Sequence, residues 1–320
     1  MSYGYGGGYP QYGYGGGRPS LIMRLAPALV MLIPAVMLLA RGCQQGPFGR
    51  QQIVGMNPQQ ESQLGAQAFR QVLTQNQGKV LPDSDPVSIR VRDIGERLMA
   101  AARDPEFLKR TGIDPQKFQW EFKVVRDPQI NAFCLPGGKV VVYTGILPVC
   151  RDDAGLATVM GHEIGHALAH HGAERMAQQQ LVKLGQAAVA SSFGDLDYGS
   201  QQRLMSILAA GANFGVLLPF SRKHESEADK IGLYLMAVAG YDPLEAAEFW
   251  KRMQSATEKS GGQRPPEFMS THPGSERRAA DLREWSAAVM PLYEASAKQP
   301  GDRRLPLPGQ GGFFGPGLRR

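Results

Sequence analysis

Two histidines four residues apart, with a glutamate beside the first, constrain this chain more than any other feature: His162-Glu163-Ile164-Gly165-His166. On a helix, positions i and i+4 lie one above the other on the same face. His162 and His166 therefore offer two imidazole nitrogens to one point, half of a tetrahedral zinc site. Glu163 lies about 100° further round the helix, close enough to take a proton from a metal-activated water without ligating the metal. The flanking residues favour a helix. Asp152 and Asp153 stand where carboxylates cap an N-terminus, and the apolar run Ala154, Leu156, Ala157, Val159, Met160 continues through Ile164 to Leu168. Gly165 costs up to about 1 kcal/mol against alanine in a helix. It marks either close approach of another backbone or an unremarkable glycine.

A catalytic zinc takes three protein ligands and keeps an open position. H-E-x-x-H on a helix is a metallopeptidase signature. One class continues it as H-E-x-x-H-x-x-G-x-x-H, but the matching positions here are Ala169 and Gly172, so that class is excluded. His170 and His171 fall off the spacing. His170 lies two turns from His162 on the same face, as a peripheral ligand or a structural residue. The other main class takes a glutamate from a separate downstream helix. Residues 219–239 supply one: Pro219 and Ser221 mark its start, and Glu225 and Asp229 share a face with Ala228 and Gly232. The small residues let this helix approach the first one. Glu225 is assigned as third ligand, and Asp229 as the carboxylate that orients a zinc-bound imidazole. Glu227 is expected to point elsewhere, and His224 to sit at the wrong angle. A charged, solvated helix face gives the same pattern, so this assignment leans on the first motif.

Residues 118–126 alternate and read as a strand, and Lys139 to Thr144 read as a second after the Pro136-Gly137-Gly138 turn. The pair makes a small sheet just before the metal helix, either a plain hairpin packing the helices or an edge that holds extended peptide by strand addition. In the second case Asn131, Ala132 and Phe133 line the substrate groove. The remaining chain is mostly helix: Ser88 to Ala102, Ala173 to Ala190, Arg222 to Ala239, Pro243 to Gln254 and Ser275 to Ala297. The fold class is α+β, dominated by helix.

Four segments in a fixed order carry a resemblance. They are Asn131-Ala132-Phe133-Cys134-Leu135-Pro136-Gly137-Gly138; Val159-Met160-Gly161 with the metal motif; Pro219-Phe220-Ser221-Arg222 through Glu225 and Ala228-Asp229; and Ser270-Thr271-His272-Pro273 with Arg278. Across residues 50–296 the chain resembles the membrane-associated zinc metallopeptidases that include the CAAX prenyl protease, HtpX and the mitochondrial Oma-type protease. Its layout is closest to the single-anchor Oma-type and periplasmic bacterial members. The resemblance implies a gluzincin-like domain, one Zn²⁺ per chain, and endopeptidase activity on unfolded or misassembled membrane or envelope proteins. It also implies a role for His272, as an oxyanion donor or as a fourth zinc ligand in a resting state, with Arg278 supporting the site. The competing class is a catalytically silent, membrane-tethered zinc-binding scaffold or holdase. The intact Glu163 argues against it, because a scaffold needs no base beside its metal.

The termini are of a different composition. Residues 1–20 repeat a Tyr/Gly pattern and residues 297–320 are rich in Pro, Gly and Arg; neither can build a core, and both are expected to be disordered. Residues 21–42 form an apolar stretch of bilayer-spanning length. It reads as a membrane anchor contacting lipid, with a lipoprotein signal ending at Cys43 as the weaker variant. Family analogy puts the catalytic domain outside the cytoplasm, in the periplasm or envelope. A second apolar run, Leu204 to Phe220, is expected to be a buried helix beside the site rather than another span. The net charge of +6 is modest and no nucleic-acid motif is present. Three cysteines are too few for a disulfide framework; free thiols are the default, although Cys134 and Cys150 are placed where a pair is conceivable. Oligomeric state is not legible.

Overall fold

The computed structural model describes residues 21–115, 118–192, 221–259, 265–273, 277–299 and 305. After α1 (Leu21–Gly42) the chain turns through a short antiparallel hairpin of β1 (Cys43–Gln45) and β2 (Gln51–Ile53). Three helices follow: α2 (Pro58–Gln75), α3 (Pro86–Ala101) and α4 (Pro105–Thr111). Each opens on an Asx-Pro pair. Asn57, Asp85 and Asp104 accept from backbone N–H groups of the first turn, and the proline that follows has no N–H to leave unsatisfied.

A three-stranded sheet comes next, from β3 (Glu121–Val125), β4 (Ala132–Leu135) and β5 (Lys139–Tyr143), in the order β3-β5-β4. The two strands expected from sequence are indeed neighbours, but they run parallel and not as a hairpin. The hairpin is made by β4 and β5. β4 was not separately legible because it is short and bounded by the Pro136-Gly137-Gly138 turn. It occupies one edge of the sheet.

The rest is helical: α5 (Leu147–Cys150), α6 (Asp153–Leu168), α7 (His171–Ser192), α8 (Arg222–Val238), α9 (Glu245–Lys259), α10 (Glu267–Thr271) and α11 (Arg278–Ala295). The expected helices are present with shifts of a few residues at their ends. The fold is α+β and mostly helical, as expected. Every residue of α6 is buried, which explains why its apolar residues extend all round the helix. Asp152 caps it, accepting from the Gly155 N–H.

The close approach inferred at Gly165 is to a helix. A Cβ there would lie 2.8 Å from the carbonyl oxygen of Ala228 in α8, and Gly161 lies against the backbone of Gly232 in the same helix. This backbone-to-backbone contact between α6 and α8 brings their polar side chains to one point. The main core joins α3, the inner face of the sheet, α6, α8, α9 and α11. A smaller cluster of Phe69, Val125 and Val141 fills the space between the other sheet face and α2.

α1 packs against α7, and several of its side chains lie outside the described residues. Among the described residues no helix is long and apolar enough to cross a membrane. The two expected tails and the apolar run 204–220 lie outside the described residues, apart from a few positions after 296. Cys43, Cys134 and Cys150 are all free thiols.

Candidate metal centre

α6 and α8 bring His162, His166 and Glu225 together, and the residue that follows α10 adds His272; one donor atom from each lies within 4.8 Å of the others. The individual separations are tighter. His162 Nε2 is 3.1 Å from His166 Nε2 and 3.2 Å from His272 Nδ1. The Glu225 carboxylate is 3.4 Å from His162 Nε2, 3.3 Å from His166 Nε2 and 3.1 Å from His272 Nδ1. A tetrahedron whose corners lie about 2.0–2.1 Å from its centre has edges of about 3.3 Å. These five separations, with those to Glu225 measured to either carboxylate oxygen, are close to the edges of a zinc-sized tetrahedron.

Charge agrees with that geometry. Glu163, Glu225 and Asp229 are all buried, and Arg278 is the guanidinium among them. It donates from Nε and Nη2 to the two oxygens of Asp229 at 2.9 and 2.8 Å, and from Nη1 to Glu225 at 2.8 Å. Its guanidinium carbon lies 3.5 Å from the centre of the Trp250 ring. Three carboxylates against one guanidinium leave an excess of negative charge that a divalent cation neutralises; buried charges without such pairing are costly. The donor set and its charge fit Zn²⁺.

Asp229 lies where the sequence placed it: its Oδ1 is 2.9 Å from Nδ1 of His162. Without metal, burial pulls the His162 imidazolium down, but Asp229 and Glu225 outweigh it and push the group up to about 9. Burial lowers His166 well below its ordinary value. The Glu225 carboxyl is opposed by burial, yet hydrogen bonds from three histidines hold it far below the usual range. Burial raises Glu163, with His272 and His162 only partly offsetting it, so this carboxylate is a better proton acceptor than one in water.

Glu163 sits to one side of the donor cluster. Its Oε2 accepts from the backbone N–H of Cys134 at 3.2 Å, while its buried Oε1 makes no hydrogen bond and lies 3.3 Å from Nε2 of His272. The other partner in that bond is the edge strand. The Tyr143 N–H donates to the Asn131 carbonyl at 3.0 Å. Alternation along an antiparallel pair then turns the main-chain groups of Ala132 and Cys134 away from β5, on the side of α6. The Phe133 side chain packs into the smaller cluster near Tyr143, on the opposite sheet face. Of the three expected groove residues, Ala132 is the one whose main chain faces outward within the strand, and sequence reasoning missed Cys134.

Of the two readings of His170 the structural one fits, while His171 and Glu227 come closer to the site than expected. His170 is not near the donors. It ends α6 with a positive φ of 56° and pairs with Glu61 at 2.7 Å. The next residue, His171, does reach the site: its Nδ1 is 2.9 Å from Nδ1 of His166. Glu227, expected to point elsewhere, lies 2.7 Å from Nε2 of His171, and His224 pairs with Glu174 at 3.2 Å. Arg50 joins both carboxylates at 2.8 Å. No periodicity ties these residues together; only the sharp turn at His170 brings His171 back against His166. A cleft of about 690 Å³ lies beyond this network, lined in part by Phe48, Arg50, Glu227, Lys230, Tyr234 and Trp285. It does not open on the donor cluster.

Comparison with known proteins agrees with the geometry. The mitochondrial metalloendopeptidase OMA1 of Schizosaccharomyces pombe is 40% identical over 239 residues, which covers 75% of this chain and 63% of that protein. Its Saccharomyces cerevisiae namesake is 35% identical over 240 residues, covering 74% and 66% respectively. The β-barrel assembly-enhancing protease of Escherichia coli is 30% identical over 247 residues, covering 75% and 46%. The matched stretch thus spans less than two thirds of each of these relatives. The pattern of peptidase family M48 matches residues 90–286, from within α3 through the first half of α11 and so across every residue of the donor cluster, and the chain belongs to that family.

Proposed function

We propose that this protein is a zinc-dependent endopeptidase. The observation that carries the reading is the cluster of His162, His166, Glu225 and His272 donors at near-tetrahedral separations beside Oε1 of Glu163, which accepts no hydrogen bond and lies 3.3 Å from Nε2 of His272. His162, His166 and Glu225 are the residues that hold the metal, Asp229 fixes His162, and Arg278 fixes both carboxylates. Zinc in this site supplies Lewis acidity to a water and to a substrate carbonyl. Glu163 takes the water's proton at Oε1 and later returns it to the leaving amine. The Cys134 N–H holds the other oxygen, so the base keeps its aim.

His272 acts as the resting occupant of the fourth corner. Its Nδ1 lies as close to His162 and Glu225 as the other donors lie to one another, which supports this role over that of an oxyanion donor. Its withdrawal admits water and the scissile carbonyl. Phe268 backs its ring, with centroids 4.8 Å apart.

The substrate is extended polypeptide, held along the outward main chain of β4 by strand addition. Such a grip ignores side chains and suits unfolded or misassembled membrane and envelope proteins. The names of the relatives, mitochondrial metalloendopeptidase and β-barrel assembly-enhancing protease, point the same way. We place the protein at a membrane through α1, which exposes Leu29, Val30, Ile33, Val36 and Met37, with the catalytic domain outside the cytoplasm. The test is cleavage of casein or another unfolded protein by the full chain. Activity that chelator abolishes, and that Glu163→Gln lacks while retaining zinc, supports the reading; a chelator-resistant activity or an active Glu163→Gln protein refutes it.

A further inference from the structure

We infer that His171, backed by Glu227 and Arg50, is a positioning residue for the ligand His166. The inference rests on the metal-site reading above and extends it to the ring nitrogen of His166 that faces away from the metal.

Each histidine of the α6 motif uses Nε2 within the donor cluster, so each has an Nδ1 to be satisfied. A metal ligand's second nitrogen is ordinarily bonded to a carboxylate, carbonyl or water that fixes the ring and its tautomer. His162 follows that rule directly through Asp229, at 2.9 Å. His166 does so through an intermediary, since its Nδ1 meets Nδ1 of His171 at 2.9 Å. His171 Nε2 then meets Glu227 Oε2 at 2.7 Å. One assignment of protons satisfies the whole row. With its Nε2 lone pair committed to the metal, His166 donates from Nδ1 to the bare Nδ1 of His171, which in turn donates from Nε2 to Glu227.

The intermediary ring is itself held. His171 is fully buried, and the His224 ring stacks on it with centroids 4.4 Å apart and an interplanar angle of 27°. Glu227 is fixed by Arg50, whose Nε lies 3.0 Å from each of its oxygens. Arg50 also bonds both oxygens of Glu174, at 3.0 and 2.8 Å, and Glu174 reaches His224 at 3.2 Å. The row therefore closes on itself through Arg50, which lies between β1 and β2 in the hairpin that follows α1. α8 thus serves both motif histidines, His162 through Asp229 and His166 through Glu227 and His171. A buried histidine that merely fills space has no reason to align its two nitrogens with a ligand on one side and an anchored carboxylate on the other.

The test is the zinc dissociation constant of the purified full chain, measured by competition with a chromogenic chelator, alongside the visible absorption of the cobalt(II)-substituted protein. His171→Leu removes the acceptor and is expected to weaken zinc about 10–100-fold and to alter the cobalt spectrum. His171→Asn places Oδ1 where Nδ1 stands and is expected to restore affinity to within a few fold of wild type. Should His171→Leu fail to fold, Glu227→Gln and Arg50→Gln carry the test, with an expected several-fold loss of affinity and faster zinc release. Wild-type affinity and an unchanged cobalt spectrum in His171→Leu, or in Glu227→Gln and Arg50→Gln where they stand in, overturn the inference. So does a loss in His171→Leu that His171→Asn does not rescue, because the ring would then act by packing alone. A wild-type chain that binds no metal refutes the metal-site reading itself and this inference with it.

Discussion

The main-chain N–H of Cys134 donates to Oε2 of Glu163 across 3.2 Å, which joins the edge of the sheet to the proposed base. The strand that we propose grips substrate is thus the strand that aims the proposed base. Because the bond comes from the backbone, its removal needs proline. Cys134→Pro leaves the β5 ladder intact, since this N–H faces outward, and is expected to lower kcat at least tenfold with zinc content unchanged. Ala132→Pro removes the neighbouring outward N–H and is expected to raise KM for an unfolded substrate instead. Steady-state kinetics separate the two; equal effects on kcat and KM in both variants would contradict the division of labour.

We propose that His272 occupies the fourth position at rest, so its loss is expected to open the site. His272→Ala is expected to retain zinc and to cleave casein several-fold faster than wild type. An oxyanion donor would behave in the opposite way, with a loss of about 10²–10³ in kcat. Turnover numbers at matched zinc occupancy decide between the two.

Zinc uptake is expected to release a proton near neutral pH. In the metal-free protein burial opposes the His162 imidazolium, but Asp229 and Glu225 push it up to about 9, against the ordinary 6.5 of an imidazole. The raised value means that this imidazolium stabilises the metal-free fold fully below about 6.5, with the contribution lost as pH rises through about 9. The ligand form is neutral, so metal and proton compete. Affinity should rise about tenfold per pH unit between 7 and 9 and then level off. Chelator competition at pH 7 and pH 8, corrected for the chelator's own protonation, checks this; a pH-independent affinity would contradict it.

The α6–α8 contact leaves no room at Gly165. A Cβ there meets the Ala228 carbonyl oxygen at 2.8 Å, a backbone atom that moves only if the helix moves. Gly165→Ala is therefore expected to destabilise the fold by about 1–3 kcal/mol despite alanine's better helix propensity, and to weaken zinc by drawing Glu225 away from the histidines. Thermal unfolding with and without zinc reads both effects. A more stable variant with wild-type affinity would show that the two helices have slack.

Legibility in the sequence followed locality. His162, Glu163 and His166 share one helical turn and its neighbours, so spacing alone relates them. Glu225 and Asp229 lie on a second helix and are related by the same i,i+4 rule, and the small residues Ala228 and Gly232 signalled the contact between the helices. The starts of α2 and α4 were also written in Asn57-Pro58 and Asp104-Pro105, although no periodic run drew attention to them. By contrast, Arg50, the first turn of α7 with His171 and Glu174, and Glu227 come from three separate places in the chain. Their meeting depends on the reversal at His170 and on the path of the β1–β2 hairpin, neither of which has a repeating pattern. The parallel pairing of β3 and β5 was hidden for a similar reason. Alternation reports which face of a strand is buried, not the direction of its neighbour, and the intervening β4 has only four residues.

The proposed chemistry needs a single metal ion gripped jointly by α6 and α8, and the metal content of the purified full chain by mass spectrometry tests for it. Close to one zinc per wild-type chain is expected, and almost none in Glu225→Ala. A wild-type protein without stoichiometric transition metal, or a Glu225→Ala protein that keeps its zinc, would contradict it.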